Sequence, residues 1–318
     1  SVHIMRYKDV HDRMETLYPY FLYDLFGKEL DSLTDFVSFG IAPAFILYFW
    51  ELKNYGKIGW TITLIFSVCC VLRLARFNLT KISEDAAKNV TEKLLVKKIT
   101  AYTISPVSVE GANQIETLEE IKNMKIDLVI TLGGDGTTLR VFRNLENETP
   151  VLTINVGGNR GILAEITIEE IDEAINGILN DKFFLDKRTR VTATCGGKEF
   201  PPALNEIYIS RTNLTKTSEI NIKFQDDTVK QKMDGVIIAT PSGSTGHSFS
   251  LGGPILHESL DVLIITPVAP VYRLPSLVVP DEKIEVISSQ DCNIAIDAQV
   301  VTSAGYEESI IIKKYKSP

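Results

Sequence analysis

Asp135 stands among three glycines. The stretch Leu132-Gly133-Gly134-Asp135-Gly136-Thr137-Thr138 follows a β-branched run at residues 126–132 and precedes a helical pattern. In an open α/β sheet, ligands bind at the carboxyl ends of strands. Glycines there let the backbone approach a phosphate, and a helix N-terminus adds N–H groups and the positive end of a dipole. A carboxylate in that place has two chemical uses, holding Mg²⁺ or accepting a proton from an attacking hydroxyl. It also has a structural one, capping the helix that follows.

A second stretch has the composition of a ligand loop. Residues 234–254 read DGVIIATPSGSTGHSFSLGGP, an apolar strand that empties into small hydroxyl residues and glycine. Such a loop donates several hydrogen bonds to ribose and phosphate oxygens and leaves room for a large ligand. A flexible linker is the competing reading. The strand that feeds the loop, and Pro241 and Pro254 near its ends, argue for a stiffer one. His247 serves there either as a general base or as a hydrogen-bonded wall residue.

The elements that must position these residues fall into two patterns. From about Ser83 a helix with Glu84 and Asp85 in its first turn is expected, then a short strand in ITAYTIS and a helix in IETLEEIKNMK. The buried strand IDLVITL, the glycine turn, the helix TTLRVFRNLE, the strand VLTINVG and the acidic helix IEEIDEAINGILND follow. Alternating strands and helices imply parallel pairing in an open α/β sheet. Past Asp181 the text turns to strand-like runs (TRVTATC, EIYISR, EINIKFQ, GVIIAT, VLIITP, KIEVIS, NIAIDA, SIIIKKY) broken by Gly, Pro, Asn and Asp. That is an all-β pattern. The expected fold class is therefore α/β plus all-β. An open α/β sheet domain over residues 81–182 precedes a β-sandwich-like domain over 183–318, and an apolar helical fragment over 1–80 precedes both.

The bulk properties agree with a folded, two- or three-domain protein. The 318 residues are 44% hydrophobic and 23% charged, which excludes a disordered, collagen-like or disulfide-framework chain. A net charge of −8 argues against nucleic acid as a partner, so an anionic substrate needs a local basic or amide-rich site. Cys69, Cys70, Cys195 and Cys292 show no metal-ligand spacing and fit a reducing, cytoplasmic compartment.

The first eighty residues differ in kind. Residues 36–50 and 58–72 are uncharged runs of 15 residues each, separated by ELKNYGK. Each is shorter than the ~20 residues of a spanning helix. Neither is polar on one side, while Tyr48, Trp50 and Trp60 near the break and Arg73 and Arg76 after it suit a membrane boundary. Membrane association through residues 36–76 is the expectation, and a pair of buried helices the alternative.

In order along the chain, LGGDGTTLR, ALNEIYIS, DGVIIATPSGSTGHSFSLGGPI, ITPVAP and LVVPD closely resemble the NAD kinases, from about Ser83 to the C-terminus. The resemblance implies ATP-dependent phosphorylation of the adenosine 2′-hydroxyl of NAD, giving NADP, with Mg²⁺ or another divalent metal, in a homo-oligomer. It makes Asp135 the proton acceptor, beside Gly133, Gly134, Gly136 and Thr137 at the ligand, with Arg140 pairing phosphate. Asn205 and Glu206 become contacts to NAD. Lys232, Asp234, Thr245, Gly246, His247, Ser248, Ser250 and Gln299 add dinucleotide contacts. Two departures stand out: His247 replaces a stacking Tyr, and the usual DGQ reads Asp297-Ala298-Gln299.

Upstream, Gly27, Asp31 and Asp35, with residues 36–43 and Leu72-Arg73-Leu-Ala-Arg76-Phe77-Asn78, resemble a phosphatidylserine synthase of the CDP-alcohol phosphatidyltransferase family. The resemblance offers Asp31 and Asp35, one helical turn apart, as metal ligands. The DGxxAR half of that signature is absent, so no CDP-diacylglycerol-serine O-phosphatidyltransferase activity is expected. The chain then reads as two unrelated pieces joined near residues 79–83, a natural fusion or, favoured because each is broken there, a product of sequence assembly. On that reading the kinase region has lost its first strand, and its sheet an element, which leaves an exposed edge. A non-catalytic dinucleotide-binding protein, or a lipid or sugar kinase with the same glycine turn, are the competing functions.

Overall fold

The structure, a computed structural model, describes residues 2–7, 36–145, 148–156, 161–164, 166–213 and 215–315. Gly27, Asp31 and Asp35 lie outside the described residues.

The chain opens with β1 (Val2–Tyr7). A helical hairpin follows, α1 (Ala42–Trp50) and the first part of α2 (Gly56–Val96), joined by a 3₁₀ turn at Leu52–Tyr55. The α/β domain then adds β2 (Tyr102–Ile104), β3 (Asn113–Ile115), β4 (Val129–Leu132), α3 (Asp135–Asn144), β5 (Val151–Asn155), β6 (Ile166–Thr167), α4 (Ile171–Leu179) and β7 (Phe183–Arg188). Its main sheet has the order β4-β5-β1-β7, with β6 also paired to β5. The pairings β4–β5, β5–β6 and β1–β5 are parallel, as the strand and helix alternation requires, and only β7 runs antiparallel.

Every residue of β5 is buried, because helices cover both faces of the sheet. On one side Leu152 and Ile154 pack with Val90 of α2 and Ile171 and Ile175 of α4. On the other, Val151 packs with Leu139 and Phe142 of α3. Lys93 and Lys97 of α2 tie to Asp172 and Asn176 of α4 at 2.6 and 2.8 Å. Arg190 is fully buried and donates 2.6 Å bonds to the carbonyls of Phe142 and Leu145, satisfying the C-terminal end of α3. Burial lowers its pKa to about 10.

The second domain is a sandwich of two six-stranded sheets. Strands β8 (Val191–Cys195), β9 (Lys198–Glu199), β10 (Glu206–Arg211), β11 (Ser218–Phe224), β12 (Asp227–Met233) and β13 (Gly235–Ala239) lead to a four-residue helix α5 (His247–Ser250). Then come β14 (Val262–Val268), β15 (Leu277–Pro280), β16 (Ile284–Ser288), β17 (Cys292–Ile296), β18 (Val300–Ala304) and β19 (Ser309–Lys314). The sheets run β15-β14-β13-β10-β17-β18 and β12-β11-β16-β19-β8-β9. Ile207, Ile238 and Ile294 of one and Ile222, Val286 and Ile312 of the other share a single core. Alternate residues point into it, the period-2 pattern of a sandwich.

Three expectations about the N-terminal region are corrected. Ser83 does not open a helix, because α2 runs unbroken through residues 79–83. The sheet has no missing neighbour: β1 fills the place between β5 and β7, with Ile4 opposite Val151 and Asp186. The apolar runs do form helices, but among the described residues no helix is long and apolar enough to cross a membrane. Nor are they buried, since Phe45, Phe49, Trp50, Ile58 and Trp60 are all exposed. A membrane-type fragment has no support in the fold.

Candidate functional site

The glycine turn sits where the sequence placed it, between β4 and α3. Gly134 is the N-cap and makes no side-chain cap bond; Asp135 is the first helical residue. Thr131, Thr138 and Thr153 form a buried chain of hydroxyls, each link 3.0 Å, that seats the helix start on the sheet. Arg140, one turn further along α3, is exposed.

Asp135 does not cap its own helix. Its Oδ2 accepts from the Ile162 N–H and its Oδ1 from the Leu163 N–H, both at 3.0 Å. The approach is close enough that a Cβ on Gly161 would lie 2.1 Å from Oδ1. The carboxylate thus spans from α3 to the segment after β5, and each oxygen retains a lone pair for a further donor.

In the second domain Asn205 immediately precedes β10 and Glu206 begins it. Glu206 is only 6% exposed, and its Oε2 is buried without a hydrogen-bond partner among the described residues. That oxygen faces the hydroxyl-rich loop, 3.4 Å from where a Cβ on Gly246 would sit. Burial, and then the charge of Asp297, push the Glu206 carboxyl up to about 7. A buried acceptor with no partner is costly unless a ligand supplies the donor.

The loop is built onto the Asn205 backbone. The Thr240 N–H donates to the Asn205 carbonyl at 2.8 Å, the Thr240 hydroxyl donates to the Leu204 carbonyl, and Gly243 N–H donates to that hydroxyl at 3.2 Å. Ser244 and Leu256 close the loop's far side, where the Leu256 N–H donates to the Ser244 hydroxyl at 3.0 Å. Thr245 and Gly246 are half-buried, and His247 and Ser250 exposed. Ser248 faces inward, its hydroxyl 2.8 Å from that of Thr266. His247 meets Tyr208 edge-to-face at 5.3 Å between ring centres. Asp234 pairs with Arg211 at 2.8 Å, and Lys232 lies exposed on β12.

One residue that the sequence reading passed over organises the centre. Asp297 is 3% exposed, and its carboxylate accepts from the backbone N–H groups of Leu204, Asn205 and Glu206 at 3.0, 2.8 and 3.2 Å. Burial raises its pKa, while those three donors and Arg143 oppose the rise. Its sequence signal was the Asp of the altered DGQ. Gln299, two residues on, donates to the Gly136 carbonyl at 2.9 Å. The turn at 297–299 therefore brings the glycine turn of the α/β domain to the Asn205-Glu206 pair of the sandwich.

Fold and site together define a two-domain nucleotide-binding protein. The family model for the ATP-NAD kinase N-terminal domain matches residues 66–183, and that for the ATP-NAD kinase C-terminal domain matches residues 204–317. An NAD kinase of Methanothermobacter thermautotrophicus is 32% identical over 249 residues, covering 76% of this chain and 87% of that protein. An NAD kinase of Thermococcus sibiricus is 34% identical over 208 residues, covering 64% and 74%. The solved NAD kinase of Archaeoglobus fulgidus in complex with ATP is 29% identical, with a TM-score of 0.60 over 73% of this chain and 87% of that one. Yeast NADH kinase complexed with NADH shares the fold, with a TM-score of 0.66 at 20% identity, over 74% of this chain and 77% of that one. The chain belongs to the ATP-NAD kinase family. The match begins at residue 66, within α2 and upstream of the expected junction. The phosphatidyltransferase resemblance finds no support in these matches.

Proposed function

We infer that this chain transfers the terminal phosphate of ATP to the adenosine 2′-hydroxyl of NAD, yielding NADP and ADP. The observation that carries the reading is the bridge that the turn of residues 297–299 makes between Gly136, next to Asp135, and the backbone of the Asn205-Glu206 pair. The Archaeoglobus NAD kinase in complex with ATP and the NAD kinases of Methanothermobacter and Thermococcus support ATP and NAD as the substrates. A β-branched strand ending in an amide-rich glycine turn at Gly133, Gly134, Gly136 and Thr137 suits a triphosphate, with Arg140 exposed beside it. Asn205 and the unpartnered Glu206 oxygen suit ribose hydroxyls. Lys232, Asp234, Thr245, Gly246, His247 and Ser250 complete the dinucleotide side.

In the reaction the 2′-hydroxyl gives its proton to Asp135 as its oxygen bonds to the γ-phosphorus. The bond from that phosphorus to the β–γ bridging oxygen breaks, and ADP leaves. Positioning and charge neutralisation carry most of such a transfer. Among the described residues no group of three His, Cys, Asp or Glu could hold a metal. Mg²⁺ or another divalent metal, which the family resemblance implies, would supply charge neutralisation at the transferred phosphate. Four free cysteines support a reducing, cytoplasmic setting for the kinase region. Self-association follows from the family resemblance.

The test is NADP formation by the full chain with ATP, Mg²⁺ and NAD. Asp135→Asn keeps the side-chain shape and removes the base, so turnover falls at least about 100-fold. An intact fold with unchanged turnover overturns the base assignment. The engagement of both Asp135 oxygens by backbone N–H groups favours a second reading, a dinucleotide-binding protein without turnover. NADP binding with no product formed selects it.

A further inference from the structure

Asp297 and Ala298, with φ of +47° and +53°, begin the three-residue connection between β17 and β18 that Gln299 completes. The turn is bonded on both flanks. On one, the Asp297 carboxylate gathers three N–H groups at the start of β10, and the Asp297 N–H returns a 3.0 Å bond to the Glu206 carbonyl. On the other, the Gln299 amide grips α3. Its Nε2 donates to the Gly136 carbonyl at 2.9 Å, and its Oε1 accepts from the Arg143 guanidinium. Gly136 directly follows Asp135, and Arg143 lies two turns further on, so the amide holds the helix at two points.

Both functional ends of the exposed Gln299 amide are thus engaged by α3, and each retains one further hydrogen-bonding place. The family resemblance made this residue a dinucleotide contact; its geometry gives it other work. We propose that Gln299 is a positioning residue that sets Asp135 on α3 in register with the ribose-facing Asn205-Glu206 pair on the sandwich. This rests on the kinase reading of the site. Asp297 holds Asn205 and Glu206 without help from Gln299, so loss of the amide leaves the ribose side formed. It frees the helix start, and with it the base, relative to that ribose. Misplacement by about 1 Å costs on the order of 100-fold in rate.

The experiment compares the full chain with Gln299→Ala and Gln299→Glu. The Glu variant keeps the oxygen that meets Arg143 but sets a carboxylate against the Gly136 carbonyl. Both variants are expected to lose about 10- to 100-fold in kcat, with KM for NAD within about twofold of the parent. A raised KM with unchanged kcat makes Gln299 a ligand contact and overturns the proposal, and so do unchanged values of both. Hydrogen exchange read by mass spectrometry tests the strut apart from turnover. In Gln299→Ala the amides of the first turn of α3 and of Ile162 and Leu163 exchange faster, while those of residues 204–206 stay protected. Equal exchange throughout overturns the strut. Absence of NADP formation by the parent chain counts against the kinase reading alone, and the exchange result still decides the strut.

Discussion

The carbonyl oxygen of Asn205 occupies the space that a side chain at Gly243 would need. A Cβ there would lie 2.1 Å from that oxygen and 2.8 Å from the Asn205 Cα. Backbone meets backbone, so neither partner can turn aside. Gly243→Ala therefore pushes the hydroxyl loop off the pair it faces. The expected result is a rise of at least about tenfold in KM for NAD and a loss of about 1–3 kcal/mol in stability, the usual cost of overpacking. Steady-state kinetics and thermal melts check it, and an unchanged KM would show that loop and pair act separately.

Glu206 makes stability depend on pH in a definite direction. Its carboxyl keeps a proton up to about pH 7 in the folded chain, against an ordinary value of 4.5. Between those values the folded state binds more protons than the unfolded one, so the group's contribution is whole below pH 4.5 and is lost as pH rises to 7. Glu206→Gln removes that titration. The melting temperature of the variant minus that of the parent should grow more positive from pH 5 to pH 8, by an amount equivalent to at most about 3 kcal/mol. NADP formation should fall in the same variant, because the amide no longer offers two acceptor oxygens to a ribose. A melting difference that is flat in pH refutes the burial argument.

Ala298 occupies a position that glycine would fill at lower cost. Its φ of +53° lies in the left-handed region, where an L side chain with a Cβ is strained by roughly 1–2 kcal/mol. Ala298 is exposed. Ala298→Gly should stabilise the chain by a few tenths to about 1 kcal/mol, the strain relieved being offset in part by the greater freedom of unfolded glycine. Urea unfolding midpoints read this directly, and a lower midpoint would mean that the turn changes shape.

The legible parts of this molecule were those with a local signature. IDLVITL and VLTINVG became β4 and β5, each a β-branched run, fully buried in β5 and partly in β4 at the sheet's edge. The glycine turn and the hydroxyl loop were visible as dense local composition, and the Asn205-Glu206 pair through the family resemblance alone. Strands β7 and β12 were missed, since FFLDKR and DTVKQKM carry charges on an exposed face and pair at or near a sheet's edge. IETLEEIKNMK was expected as an α-helix but forms only a 3₁₀ segment at Leu118–Asn123, opened by the Thr117–Glu120 capping box. Asp297 escaped notice because its partners are about ninety residues away along the chain. No window of sequence holds both. The role of Ser83 was misjudged from its favourable N-cap chemistry, which a continuous helix overrode.

The strand Val2–Tyr7 has a consequence for how the molecule is made. It lies inside the sheet, flanked by β5 and β7, yet the ribosome delivers it before either. The helical hairpin, the long helix and the glycine turn all emerge while this first segment still lacks both neighbours. Pairing over such a distance is slow to nucleate, and an extended segment kept waiting is open to mispairing. The nascent chain must therefore carry the strand Val2–Tyr7 unpaired through the synthesis of everything up to β5, and the α/β sheet is completed only when β7 closes on its other side.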